Sequence, residues 1–250
     1  MKAITTIDDV IYELTEIVKS TQASDNPLGY FAALYRRVTI KVKEGIATNF
    51  FEDGPRMAQL DIVFAKRYLD AYYAFEKSEP LTDSWQRAFD LSTNYWPIVL
   101  QHLLIGINAH INLDLGIAAA EISKGKSIHS LENDFNKINQ ILSDLVVDVE
   151  SELATIWPTL KRILKKTRNV DDFLVDFSME LARDGAWRFA IDLAASPSVD
   201  WEKMILHRDE RVAANVSIIT YEGILVSTLM KVVRLGERGT IGEKIGHLSS

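Results

Sequence analysis

The chain of 250 residues contains no cysteine. Disulfides and thiolate-bound metal are therefore excluded, and a cytoplasmic setting is the compatible one. Glycine and proline are scarce, 12 and 6 residues, which leaves little material for many turns and favours a few long elements. Basic residues are outnumbered, 28 against 35 acidic, for a formal charge of −7. Such a chain has no general attraction to nucleic acid or anionic lipid, and neither is an expected partner. The two local basic clusters, at Arg36-Arg37 and from Lys161 to Lys166, have acidic neighbours and read as solvated helix faces. No glycine-rich phosphate loop, GxSxG elbow or well-placed DDxxD motif occurs. An uninterrupted membrane-length apolar run is also missing from the C-terminal region. Val212 to Val233 comes nearest, but Asn215, Glu222 and Lys231 break it, so a buried helix is the better reading. The acids in MKAITTIDDVIYEL stand where a signal peptide needs its apolar core, so none is expected.

What is present is helical periodicity. Hydrophobic residues make up 47% and charged residues 25%, an ordinary globular mixture. A first helix is predicted from Thr6, with Asp9 completing a capping-box variant and Ile7, Val10, Ile11, Leu14, Ile17 and Val18 as its apolar stripe. Asn26-Pro27 predicts the start of a second, and Pro55 that of a third reaching about Lys77. Thr82 or Asp83 caps a fourth, and Pro97 leads into a long helix ended by Gly125. Leu131 to Lys166 is strongly periodic, with a kink or break at Pro158. Asp171 to Ala195 and Trp201 to Arg234 come next, and 236–250 reads as a loosely ordered tail. No period-two alternation suggests a strand. The expectation is one all-α domain, 1–250, a bundle of about eight or nine helices around a central helix at 98–122.

That central helix, QHLLIGINAHINLDLGIAAAE from Gln101 to Glu121, carries the most chemistry. Burying polar groups in an apolar helix is costly unless each finds a partner. At 100° per residue, His102, Gly106, His110, Asp114, Ile117 and Glu121 fall in one sector. Gln101, Asn108 and Asn112 form a second stripe elsewhere. Two stripes predict a central position, with partners on different neighbours. His110 and Asp114, four residues apart, can act together as a base and its orienting carboxylate, or as two ligands of a divalent metal. His102 lies about 12 Å earlier along the axis and belongs to another layer. A metal would need a further ligand, with Asp61, Glu76, His207 and Glu222 as candidates. Gly106 predicts close approach of another helix or of a ligand.

Two weaker constellations complete the set. His207, Arg211, Asn215 and Glu222 share a face of the last long helix, as an internal ion pair or as an anion-binding arginine beside an acid or base. Asp61, Tyr68 and Tyr72 fall on one side of the helix after Pro55, where hydroxyls beside a carboxylate can orient a ligand. Arg67 projects elsewhere, within reach of Asp70 or Asp90.

The phrases YFAALYRRVT (30–39), RMAQLDIVFAKRYLDAY (56–72) and LQHLLIGINAHINLDLGIA (100–118) resemble an uncharacterised bacterial family catalogued as a domain of unknown function. Its most specific part is a QHLLxGxNAHIxxDL signature. The resemblance implies an all-helical domain and no established activity.

The leading expectation is an enzyme acting on a small molecule in a helical pocket. His110, Asp114, His102, Asp61 and His207 would be catalytic. Tyr68, Tyr72, Arg211, Asn108 and Asn215 would bind substrate, and His110 and Asp114 would hold any metal. The alternatives are a binding protein for an apolar ligand, or an interaction domain whose buried polar groups only specify the fold.

Overall fold

The computed structural model describes residues 3–138, 140–142, 179–220 and 231–249, and no strand occurs among them. The fold is all-α. Helices α1 (Ile7–Ala23), α2 (Gly29–Ala47), α3 (Gly54–Glu76) and α4 (Asp83–Asp90) lead into one continuous helix, Val99–Glu121. This central helix consists of α5 (Val99–Ala109), a π turn (His110–Leu115) and α6 (Gly116–Glu121). Then come α7 (Met179–Ala195), α8 (Trp201–Ala214), α9 (Val216–Thr220) and α10 (Ile241–Ser249).

The helices begin where side chains can accept orphan N–H groups. Thr6 and Asp9 form a reciprocal capping box at α1. Asp53 Oδ1 accepts from the Arg56 N–H at α3. Two other starts are capped from a distance, which local sequence does not reveal. Asp209 of α8 accepts the N–H groups of Asp83 and Ser84 at 2.7 and 3.0 Å, in place of a Thr82 side-chain cap. Glu237 accepts the Val99 N–H at 2.9 Å while also holding Lys244 and Arg234.

The central helix touches three apolar clusters. The main core includes Leu14, Phe31, Tyr35, Leu60, Tyr68, Trp85, Leu103 and Leu115. A second joins Leu113 and Ile117 to Phe189, Leu193 and Val212, and a third joins Leu104 and Ile105 to Val216 and Ile219. By length and apolarity this helix could cross a membrane, but 89% of its most apolar window is buried within the bundle. Gly106 and Gly116 mark its two close approaches. A Cβ on Gly106 would lie 2.5 Å from the Phe31 ring of α2, and one on Gly116 would lie 2.8 Å from the Ala186 carbonyl of α7.

Three boundaries differ from the sequence reading. The region 236–250 is not a loose tail over its described part: α10 packs on α1 and α2, with Ile245 and Leu248 fully buried. Its start is a capping box, in which Thr240 N–H donates to Glu243 and Glu243 N–H to Thr240 Oγ1. The helix from Trp201 stops at Ala214 and resumes at Val216, because Asn215 turns the chain. The π turn inserts one extra residue per hydrogen-bonded loop and rotates the residues beyond it. Ile117 therefore faces α7 and α8 instead of sharing a sector with His110, and Glu121 is exposed. Pro158, most of 131–166 and Glu222 lie outside the described residues.

Candidate functional site

His110 and Asp114 meet inside the π turn, their Nδ1 and Oδ2 atoms 3.1 Å apart. Both are buried, at 2% and 0% exposure. Asp114 takes two further donors from other helices. Arg67 Nε of α3 donates to Oδ1 at 2.7 Å, and Trp85 Nε1 of α4 donates to Oδ2 at 2.8 Å. Burial alone would push the Asp114 carboxyl up, but Arg67, His110 and Trp85 together hold it below the usual carboxylate range. It is therefore ionised at neutral pH.

The imidazole sits in a box of rings. Phe64 stacks on it face to face, 3.6 Å between centroids at 7°. Tyr35, Phe31, Trp85 and Tyr68 approach at centroid distances of 4.5, 5.6, 5.8 and 6.1 Å. Burial pushes the His110 pKa down, and Arg67 adds to that, against the opposing pull of Asp114. A neutral imidazole beside an ionised carboxylate must carry its proton on Nδ1 to donate to it. Nε2 is then a bare acceptor, and it is buried with no hydrogen-bonding partner.

Three more buried polar atoms from the flanking helices share that condition: Tyr35 Oη of α2, and Asp61 Oδ2 and Tyr68 Oη of α3. Burial pushes Asp61 up to about 7 and raises both tyrosines. Below pH 7 the Asp61 carboxyl is mostly neutral and carries a proton.

A cleft of about 280 Å³, counting the part open to solvent, runs beside this box. Leu28, Phe31, Trp85, Phe89, His102 and Gly106 are among its walls. Phe31 and Trp85 line the cleft on one side and touch the His110 ring on the other. His102 belongs here, one layer away from His110. Its ring packs on Tyr30 at 5.5 Å, and burial, with Arg234 and Lys244 nearby, pushes its pKa down to about 3.

The remaining candidates fall elsewhere. Tyr72 is buried among Tyr68, Tyr73 and Phe89. Asn108 donates to the Val212 carbonyl at 2.9 Å and accepts from Asn112 at 3.0 Å and, more weakly, from Asn215 at 3.4 Å. Those amides close the end of α8, and their bonds go to Val212 and to each other, not to His110. The His207 side chain is 74% exposed beside Glu210, and Arg211 is exposed as well. The inward side of α8 carries Asp209 and Val212, with Arg208 donating to the Asn112 carbonyl at 2.9 Å. The face drawn through His207 and Arg211 is therefore the solvent side over the described part of that stripe.

Among the described residues no group of three or more His, Asp or Glu is placed to hold a metal ion. His110 and Asp114 bond to each other, and both Asp114 oxygens already accept N–H donors. Sequence reasoning missed Arg67, whose partner is Asp114 and neither Asp70 nor Asp90, together with Trp85, Phe64 and Tyr35. Lys66 is the residue that pairs with Asp70.

No curated protein and no solved structure matches the chain. The model of a family of unknown function, DUF5995, matches residues 7–221, and the chain belongs to that family.

Proposed function

We propose that the protein acts on a small molecule at the His110–Asp114 dyad, with His110 Nε2 as general base. The observation that carries this reading is the oriented imidazole whose free nitrogen is buried without a partner. Leaving a buried acceptor unsatisfied costs about 1–3 kcal/mol, so a network built only for stability would gain by pairing it. Asp114 fixes the tautomer and balances the imidazolium that forms when Nε2 takes a proton. Arg67 and Trp85 hold Asp114 in place, and the widened π turn sets the two side chains against each other. The cleft shares Phe31 and Trp85 with the imidazole box. Proton-transfer chemistry such as isomerisation or cyclisation suits this arrangement.

The test is turnover of a small-molecule extract, followed by mass spectrometry, with wild type and His110→Asn compared at equal folded concentration. The expected result is that wild type alone consumes a compound. Indistinguishable profiles from two folded proteins would overturn the reading. A second reading, a polar network serving fold specificity, is favoured by the low exposure of His110. It expects those indistinguishable profiles.

A further inference from the structure

Arg56, in the first turn of α3, is a cation at 5% exposure. Its Nη1 donates to Ser130 Oγ at 2.7 Å and its Nη2 to Ser123 Oγ at 2.9 Å. Both hydroxyls pass their own protons to carbonyls, those of Ser127 and Ala119. A guanidinium has five N–H donors, of which only these two are used, and Nε is buried without a partner. Among the described residues no carboxylate pairs with this side chain. Asp53, which caps α3, takes the Arg56 backbone N–H. By contrast, Arg67, Arg234 and Lys244 each hold a carboxylate. Two serine dipoles recover only part of what burying a charge costs, so Arg56 stands short of an anion.

The guanidinium reaches an open loop. Ser123-Lys124-Gly125-Lys126-Ser127 follows the central helix, and Ser130 lies in the turn after it. Gly125 has φ +78°, and nothing lies within 4 Å of where its Cβ would stand, so the crown of the loop faces solvent. Lys126, Ser127 and Ser130 are exposed. The Lys126 N–H bonds the Ser123 carbonyl at 2.9 Å, so this lysine starts beside the serine that Arg56 holds. Lys124 is committed to the Trp201 ring at 4.6 Å, whereas the Lys126 ammonium and the Ser127 hydroxyl have no partner among the described residues. The acids flanking the loop in the chain, Glu121 and Glu132, are both exposed, and Glu132 faces His129 at 3.9 Å.

We propose that this loop binds a phosphate-type dianion, free or carried by a small molecule. Arg56 is the fixed cation, Lys126 the second, and the Ser127 and Ser130 hydroxyls are the neutral partners. Two uncommitted positive charges match a dianion, while a carboxylate would balance only one. Spare N–H donors on a planar guanidinium suit a tetrahedral oxyanion, and Ser130, exposed beside Nη1, marks the side from which it comes. The loop has one glycine and no GxxxxGK run, so binding here rests on side chains and not on a backbone cradle. The site is separate from the dyad, because Ser123 lies about 20 Å past His110 at the helical rise.

Titration calorimetry with inorganic phosphate, glucose 6-phosphate and acetate, in chloride buffer, tests the site. Both phosphates should bind at millimolar concentration or below, and acetate should not. The tighter of the two phosphates tells a free ion from a phosphorylated small molecule. Arg56→Gln should weaken binding at least about tenfold, the loss expected when a charged hydrogen-bonding group is removed. Lys126→Ala should weaken it about fivefold, as for an exposed ion pair. Lys77→Ala, at the opposite end of α3, should change nothing. If Arg56→Gln does not fold, Lys126→Ala and Ser127→Ala decide. Nitrogen-15 NMR locates the ion: phosphate should move the backbone signals of 124–130 and leave the His110 ring signals in place. The proposal is overturned if no phosphate binds, if acetate binds as well, or if Lys77→Ala weakens binding as much as Lys126→Ala. It is also overturned if folded Arg56→Gln, or Lys126→Ala with Ser127→Ala, binds as wild type does, or if only the His110 signals move.

Discussion

One helix carries two buried polar stripes, and they are built differently. Toward α8 and α9, Gln101, Asn108 and Asn112 are amides that bond to the carbonyls of Ile219 and Val212 or to each other. None of their side-chain atoms is buried without a partner. Toward α2, α3 and α4, His110 and Asp114 are titratable and ringed by aromatics, and four buried atoms there lack partners. Both stripes cost the same kind of desolvation. The amide stripe recovers it within the protein by closing the end of α8. The His110 side recovers it at Asp114 and leaves the other atoms unpaired, and the proposed site rests on that difference.

The comparison breaks first at Asp114. Asp114→Ala strands Arg67, Trp85 Nε1 and His110 Nδ1, and removing one partner of a buried ion pair costs about 3–5 kcal/mol. A urea-denaturation midpoint close to wild type would show that the dyad is not held as described. Asp61→Asn comes next, and its sign depends on pH. The folded pKa of Asp61, about 7, lies above its ordinary 3.8. The contribution of its protonated form is therefore complete below about pH 4 and is lost as pH rises through 7. Asparagine removes that loss. The variant should match wild type near pH 4 and exceed it at pH 8 by at most about 4 kcal/mol. Equal pH profiles would mean that Asp61 is solvated.

The amide stripe supplies the third effect. Asn108→Ala leaves the Val212 carbonyl without its donor and frees the amides of Asn112 and Asn215. A loss of about 1–3 kcal/mol is expected, with no change in the His110 nitrogen spectrum. A shifted His110 signal would mean that the two stripes are coupled and that the contrast between them is too sharp.

Much of this was legible in sequence because helices announce themselves locally. The stripe of α1, the Thr6–Asp9 capping box and the close approach at Gly106 needed only spacing and residue type. So did the two faces of the central helix and the pairing of His110 with Asp114. What failed was whatever depends on a neighbour. Arg67 sits on a helix that also offers Asp70, and no helical wheel shows that its partner is Asp114 of another helix. Trp85 and Phe64 carry no mark of their role in the sequence, since ring stacking on an imidazole has no signal in one stretch of it. The π turn was invisible too, and assuming a constant 100° per residue misplaced Ile117 and Glu121. The α10 start is a different case: Thr240-x-x-Glu243 is a legible capping box that the nearby glycines obscured.

The smallest effect is expected where sequence placed a catalytic residue and the fold placed solvent. His207 is on the outer face of α8, and it pairs with Glu210 one turn away at 3.7 Å. Exposed pairs of that kind contribute little to stability. His207→Ala should leave the denaturation midpoint, the His110 nitrogen shifts and the turnover of any compound that wild type consumes unchanged. Activity lost from a folded His207→Ala variant would carry the site across α8 to the side of the amide stripe. The two faces of the central helix would then serve one function, and the full pairing of Asn108 and Asn112 would be part of positioning it.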